Sequence, residues 1–334
     1  MKLISASGIV EEDARPQVEI IICTFNGERY IAEQLESIFS QNRKPDLISI
    51  YDDASTDGTL AVIHKIIGQN AQQDIEIRIV RNDENLGYVG NFSQGIKAAK
   101  ADILFLCDQD DRWQSNKIQV ALDLLNKTRA DLVFSDGRLI GANGEEIPGE
   151  SVLNRYGLSA IDVLEFSNHA IVRLACRNYI NGAAMAIRRE AALSAMPVPA
   201  GLPHDYWLAV WCALHAGIDV SPKCLYDYRQ HSNNVIGVGL NKWYYVWYGI
   251  LRSPSTPRLI EYARYIELVP RVSALKDATV FVEKLQWLDA CVVQTRRLPR
   301  LWSILTSTWS GQYRRFGTRY SLVRDLIAVL VVSR

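Results

Sequence analysis

Residues 108 to 111 read Asp108-Gln109-Asp110-Asp111, three carboxylates in four positions, directly after the apolar run Ile103–Cys107. Two like charges about 4 Å apart at an effective dielectric of 20 repel by roughly 4 kcal/mol. Such a cluster calls for a positive partner. Asp oxygens suit hard divalent cations such as Mg²⁺ or Mn²⁺, and a D-x-D spacing lets two carboxylates face one side. Mg²⁺ commonly takes one or two carboxylates and fills its remaining positions with phosphate oxygens. A cation held there can neutralise charge that develops on a departing diphosphate.

The cluster needs a strand to carry it, and the chain supplies several of the same design. "VEIIICTFN" ends in Thr24 and Asn26, "LISIYDDAS" ends in Asp52 and Asp53, and "ADILFLC" runs into the acids. "IEIRIV" and "ADLVFSD" read as further strands. Helical spacing separates them: Ile31, Leu35, Ile38 and Phe39 fall at i, i+4, i+7 and i+8. Strand and helix alternate at a period of about 25 to 30 residues, the pattern of a doubly wound, mostly parallel sheet with helices on both faces. Ligands collect at the carboxyl ends of such strands, so the polar ends would converge on one rim. Asp and Asn also favour turns and helix caps, which is the alternative for any single loop.

The second half holds three further stretches. Asn181-Gly182-Ala183-Ala184 is a small-residue turn, read either as part of a binding wall or as tight packing. In "GLPHDYWLAVWCALHAG", Asp205 falls in the first turn of an apolar helix, where the macrodipole stabilises a carboxylate; on spacing alone it is a cap. "YDYRQHSNNVIG" sets His231 beside Arg229 and Gln230, off any apolar face.

With 334 residues, 48% hydrophobic and 22% charged, the chain can bury the core of one large domain plus an extension. Net charge is zero but uneven: from Asn241 onward there are fifteen Lys and Arg against six Asp and Glu. An acidic body argues against a nucleic-acid groove, and a basic end argues for an anionic surface. The six cysteines form no C-x-x-C pair, which excludes a zinc knuckle or disulfide frame and fits free thiols in a reducing cytosol. The first 17 residues read as a leader without a secretory h-region, and no apolar stretch is long enough to span a bilayer. The absence of G-x-x-x-x-G-K-[ST] and of G-x-G-x-x-G after the first strand disfavours P-loop and dinucleotide sites.

Taken in order, "IIICTFNGERYIAEQLESIFSQ", "IYDDASTDGT", "NLGYVGNFSQGIKAAKADILFLCDQDDRW" and "HDYW" resemble family 2 glycosyltransferases over roughly residues 17–238. The D-Q-D-D-x-W, H-D-x-W and Q-H-x-x-N variants resemble the bacterial subgroup that builds surface polysaccharides, rhamnosyltransferases among them. The resemblance implies a GT-A fold, a nucleotide-diphosphate sugar donor, inversion at the anomeric carbon, and Mg²⁺ or Mn²⁺. It puts Thr24, Asn26, Glu28, Asp52, Asp53 and Asn91 around the nucleoside, with Asp108 at the ribose. It puts Asp108, Asp110 and Asp111 at the metal, and Asp205 as the general base. His204 stands where the family usually has an acid. His231 would complete the metal shell or, with Arg229, touch the diphosphate. The expected layout is a leader (1–17), a transferase domain (18–240) and a basic, aromatic helical region (241–334). That last region, with eight Arg and one acid from Arg296 onward, either lies in a membrane headgroup layer or caps the enzyme. The expected acceptor is a growing surface glycan on a polyprenyl diphosphate, handled by a cytoplasmic enzyme peripheral to the inner face of the membrane. The alternatives are a non-catalytic nucleotide- or glycan-binding relative of the same fold and a basic-tailed nucleic-acid or membrane scaffold. No nucleic-acid motif supports the last.

Overall fold

A computed structural model of the chain describes residues 15–231, 256–275, 277–292 and 304–316. Most of the leader and most of the arginine-rich stretch after Arg296 lie outside the described residues.

The first four strands are β1 (Val18–Thr24), β2 (Leu47–Asp52), β3 (Glu76–Arg81) and β4 (Ile103–Asp108). They pair in parallel, in the order β3-β2-β1-β4. β1, β2 and β4 are apolar on both faces because helices cover both. β3, at the edge, exposes Glu76 and Arg81, charges that discourage pairing with another chain. The intervening helices are α1 (Ile31–Phe39), α2 (Thr59–Gln69) and α3 (Gly87–Ala98). α3 lies close on the sheet through Gly95, where an added Cβ would stand 2.5 Å from the Ile21 methyl.

Beyond β4 come β5 (Arg112–Trp113), α4 (Lys117–Thr128), β6 (Leu132–Ile140) and β7 (Glu146–Ser151). The short helices α5 (Val152–Arg155), α6 (Ala160–Leu164) and α7 (Ala170–Cys176) follow. Then come β8 (Met185–Arg188), α8 (Arg189–Ser194), α9 (His204–Leu214) and β9 (Ile218–Arg229). The sheet continues β4-β8-β6-β9-β5, with β7 paired to β6. β8 runs antiparallel to both β4 and β6. The sheet is therefore mixed: the four N-terminal strands and the β6–β9 pair are parallel, while β8 runs against both of its neighbours. The physical reason is the excursion through α5–α7: the chain returns from the ligand rim and so enters β8 head-down. That reversal sets the Asn181–Ala184 turn, immediately before β8, beside the carboxyl end of β4.

Helices Thr256–Val272 and Thr279–Val292 pack on the rest of the fold through α7. An α-helix leaves its last carbonyls without intrahelical partners. In α7 these are met by three side chains from three elements. Tyr206 Oη donates to Leu174 O (2.9 Å), Tyr265 Oη to Ala175 O (2.7 Å), and Lys284 Nζ to Cys176 O (3.1 Å). Lys284, almost fully buried, also pairs with Glu261 at 2.5 Å.

Candidate active site

The rim at the carboxyl ends of β1, β2 and β4 is knitted by its own polar side chains. Thr24 Oγ1 donates to Asp52 Oδ1 (2.9 Å), and Ser55 N donates to Asp52 Oδ2 (3.1 Å). Asn26 adopts φ 48°, a left-handed conformation that Asn tolerates, and its Oδ1 accepts from Thr56 N (2.9 Å). Glu28 Oε2 accepts from Gly58 N (3.0 Å). Asp53 accepts from Asn82 Nδ2 (2.8 Å), Leu86 N (2.8 Å) and Gly87 N (2.9 Å), which fixes the mouth of α3. Asn91 lies behind that mouth, fully buried, donating to Tyr51 O (2.9 Å). Asp52, Asp53 and Asn91 thus shape the loop, while Asn26 and Glu28 remain exposed on it.

The acids at the end of β4 separate into different surroundings. Gln109 is bonded at both ends of its amide to Phe25, accepting from its N (2.9 Å) and donating to its O (3.0 Å). Asp111 turns inward: Oδ1 accepts from Arg229 N (3.1 Å), and Oδ2 is buried without a partner. Asp110 turns the other way, its Oδ2 2.9 Å from His231 Nε2. Asp108 keeps some solvent contact, yet burial first, then the charges of Asp110 and Asp205, push its carboxyl up to about 7.

Supports for this group come from far along the chain. Tyr30 stacks on His231 with ring centroids 4.7 Å apart. Arg229, buried, donates to Asp110 O (2.8 Å) and to Glu33, and its guanidinium lies 5.0 Å from the Tyr30 ring centre. Arg112 bridges Glu33 (2.9 Å) to the buried Asp227 (2.8 Å), which also binds Arg138 at 2.7 Å. Arg229 therefore holds the backbone under the acids instead of reaching into the cleft. Lys117 sits beneath them, buried between the Trp113 and Tyr226 rings and donating to Ala183 O. Burial pulls its ammonium down to about 8, against the pull of Cys107, Asp111 and Asp108.

On the second wall, Asp205 is the second residue of α9, after the Pro203 cap, so it is not itself the cap. Its Oδ1 accepts from Asn178 Nδ2 (3.1 Å) and Tyr206 N (2.6 Å). Burial raises the carboxyl to about 6 in spite of those donors. His204 beside it stacks on Phe92 at 4.3 Å, with neither ring nitrogen bonded, and burial drops it to about 3, so the ring is neutral. Tyr88 and Tyr156 feel the Asp205 charge, as does Asp108. The structure thus joins Asp110 to His231, sets Asp205 close enough to Asp108 for its charge to be felt there, and turns Asp111 and Arg229 inward. Sequence reasoning missed Tyr30, Glu33, Lys117, Asn178 and Asp227. Glu33 sits with Glu36 and Ser37 on the polar side of α1, so its spacing gave no signal.

Among the described residues no three His, Cys, Asp or Glu form a metal cage by themselves. The donor set nonetheless suits a hard cation. A carboxylate and an imidazole meet at 2.9 Å, a second, desolvated carboxylate adjoins them, and the remaining positions would fall to phosphate oxygens. The five cysteines with described side chains are free thiols, and no described helix is long and apolar enough to cross a membrane.

A sequence profile of the family named Glycosyl transferase family 2 matches residues 19–185, half of the chain. The chain belongs to glycosyl transferase family 2. Among relatives of this family 2 chain, an uncharacterized protein of Mycobacterium tuberculosis is 28% identical over 225 residues, 65% of this chain and 60% of that protein. The chain therefore spans about 60% of the length of that relative. The putative teichuronic acid biosynthesis glycosyltransferase TuaG of Bacillus subtilis is 25% identical over 234 residues, 69% of this chain and 84% of TuaG. The mannosyltransferase PcManGT of Pyrobaculum calidifontis, solved in complex with GDP-Man and Mn²⁺, superposes with a TM-score of 0.52 at 17% identity. It covers 96% of this chain and 89% of that one, a likeness of fold.

Proposed function

We propose that the protein transfers a sugar, with inversion, from a nucleotide-diphosphate donor to a hydroxyl of a growing surface glycan. The observation that carries this reading is Asp205, a desolvated carboxylate whose charge reaches Asp108. A carboxyl near 6 is a base at neutral pH and strong enough to take a proton from a hydroxyl as it attacks. Asn178 and the backbone fix the carboxylate, and the neutral His204 beside it adds no second charge.

Asp108, Asp110 and His231 are the residues that would hold Mg²⁺ or Mn²⁺, with Asp111 behind them as counter-charge. When bound, the ion would neutralise the leaving diphosphate. Thr24, Asn26, Glu28, Asp52 and Asp53 would shape the nucleoside pocket, Asn91 would brace it, and Arg229 would act as its anchor. Complexes of PcManGT with GDP-Man and Mn²⁺ and the teichuronic acid role given to TuaG support this reading. The subgroup motifs favour rhamnose as the sugar.

The acceptor is read as lipid-linked, with the C-terminal region lying on the inner face of the membrane. Trp309 is 93% exposed and Leu305 half exposed, four residues apart on one helical face, while Ile304 is buried. The sequence from Arg296 onward carries eight Arg, a charge suited to anionic headgroups.

Asp110→Ala and His231→Ala should each remove the Mn²⁺-dependent part of UDP or dTDP binding in calorimetry. Equal affinity with and without EDTA in the wild type would refute the metal role. Co-sedimentation with anionic liposomes should fall for Trp309→Ala; retention by neutral and anionic vesicles alike would refute the membrane face.

A further inference from the structure

We propose that Arg177 is a receptor for an oxyanion, a phosphate or a carboxylate, carried by the acceptor. This rests on the transferase reading above and names one chemical feature of the second substrate.

Arg177 follows α7 in extended backbone. Its guanidinium carbon lies over two rings, 5.3 Å from the centre of Tyr156 and 5.3 Å from that of Tyr179. The two ring faces hold the fork near them without neutralising it, because a ring quadrupole is no counter-ion. No described residue bonds or pairs with its side-chain donors. The neighbouring arginine shows the contrast: Arg173 pairs with Asp162 at 2.8 Å.

A cation at a helix C-terminus ordinarily satisfies the last carbonyls. That explanation is closed here, because Tyr206, Tyr265 and Lys284 already occupy the carbonyls of Leu174, Ala175 and Cys176. Among the described residues Arg177 is left with its fork unpaired, half-buried, and held beside two rings. A planar fork with several donors matches the two oxygens of a carboxylate or phosphate.

Its place gives the function. The next residue, Asn178, holds Asp205. Tyr156, on which Arg177 packs, donates to Asn181 Oδ1 (2.7 Å) in the turn beside β4 and feels the Asp205 charge. An anion on Arg177 therefore stands on the wall that carries the base, and orients a hydroxyl toward Asp205. A phosphate from a diphosphate or phosphodiester linkage and a carboxylate from an acidic sugar share this chemistry.

The test is modification of the full-length protein with phenylglyoxal, Mn²⁺ and UDP being present throughout to fill the donor side, followed by peptide mass mapping. Arg177 should react, and millimolar inorganic phosphate or sodium glucuronate should slow its reaction at least roughly tenfold, as a bidentate charge-assisted pair would. Protection by phosphate alone supports a phosphorylated acceptor, and protection by glucuronate alone supports an acidic sugar. Protection by neither overturns the proposal. Protection already complete with UDP and Mn²⁺, relative to the free protein, also overturns it and makes Arg177 a donor residue. Arg177→Gln should lose phosphate-dependent thermal stabilisation, Arg177→Lys should keep only part of it, and both should hydrolyse the donor within about twofold of wild type. A wild-type protein that binds neither UDP nor dTDP in the presence of Mn²⁺, by the calorimetry above, yet shows the protection refutes the donor-binding reading and leaves the oxyanion receptor standing.

Discussion

Asp205 couples activity and stability with opposite signs. Its carboxyl is near 6 in the fold and about 3.8 when unfolded, so the folded state holds the proton more tightly. Its unfavourable contribution is absent below about pH 4, grows as pH rises to 6, and reaches roughly 3 kcal/mol by neutral pH. With Asp205 as the proposed base, transfer should fall tenfold per unit below about pH 6, read from a pH–rate profile. Asp205→Asn keeps an oxygen for Asn178 and Tyr206 N but sheds the buried charge. Urea melts at pH 7.5 should show it more stable by about 1–3 kcal/mol, while transfer drops about 10²- to 10⁴-fold. Asp108, Asp110 and Asp205 are legible in the sequence, since carboxylates at strand and helix ends announce themselves. The inward turn of Asp111 is not legible, because Arg229 N, which receives it, lies 118 residues away. Nor is the division of labour at Arg229: its burial under Tyr30 depends on where β9 ends.

At the scale of elements, parallel strands are readable from apolar runs with polar ends, and helix α1 from its spacing. The reversal at β8 left no such trace. "AAMAIR" is a short buried strand whichever way it runs, and direction is set by the excursion before it. Packing of α3 on β1 is a sharper matter of fit. Gly95→Ala places a methyl 2.5 Å from Ile21 Cγ2 and 3.2 Å from the Tyr51 ring, both in the core. Overpacking of this kind costs about 1–3 kcal/mol. The substitution should lower the urea midpoint accordingly. It should also weaken nucleotide binding, since α3 begins where Asp53 grips Leu86 and Gly87.

For the whole molecule, the division into a transferase domain ending near residue 240 and a separate helical region takes a specific form. The region beyond 256 is fastened to α7 by Tyr265 and Lys284, and α7 leads straight to Asn178. A chain ending at residue 240 would strand the carbonyls of Ala175 and Cys176 and uncover the apolar side of Tyr206. We expect that truncation to fold with reduced cooperativity in urea and to lose transfer more than nucleotide affinity, measured on the same preparation. The aromatic, basic composition of this region is visible in sequence; its attachment is not, because each contact joins residues tens to more than a hundred positions apart.

His231 meets Asp110 across 121 residues, and Arg229 meets Glu33 across 196. A polypeptide still emerging from the ribosome carries every acid of the cleft well before it carries the imidazole and guanidinium that complete it. Until β9 is paired along β6 and His231 follows it, the proposed nucleotide pocket is only half built. Ligand can therefore rescue a destabilised variant only after synthesis has passed that point, and stalled or prematurely terminated chains should gain nothing from added nucleotide.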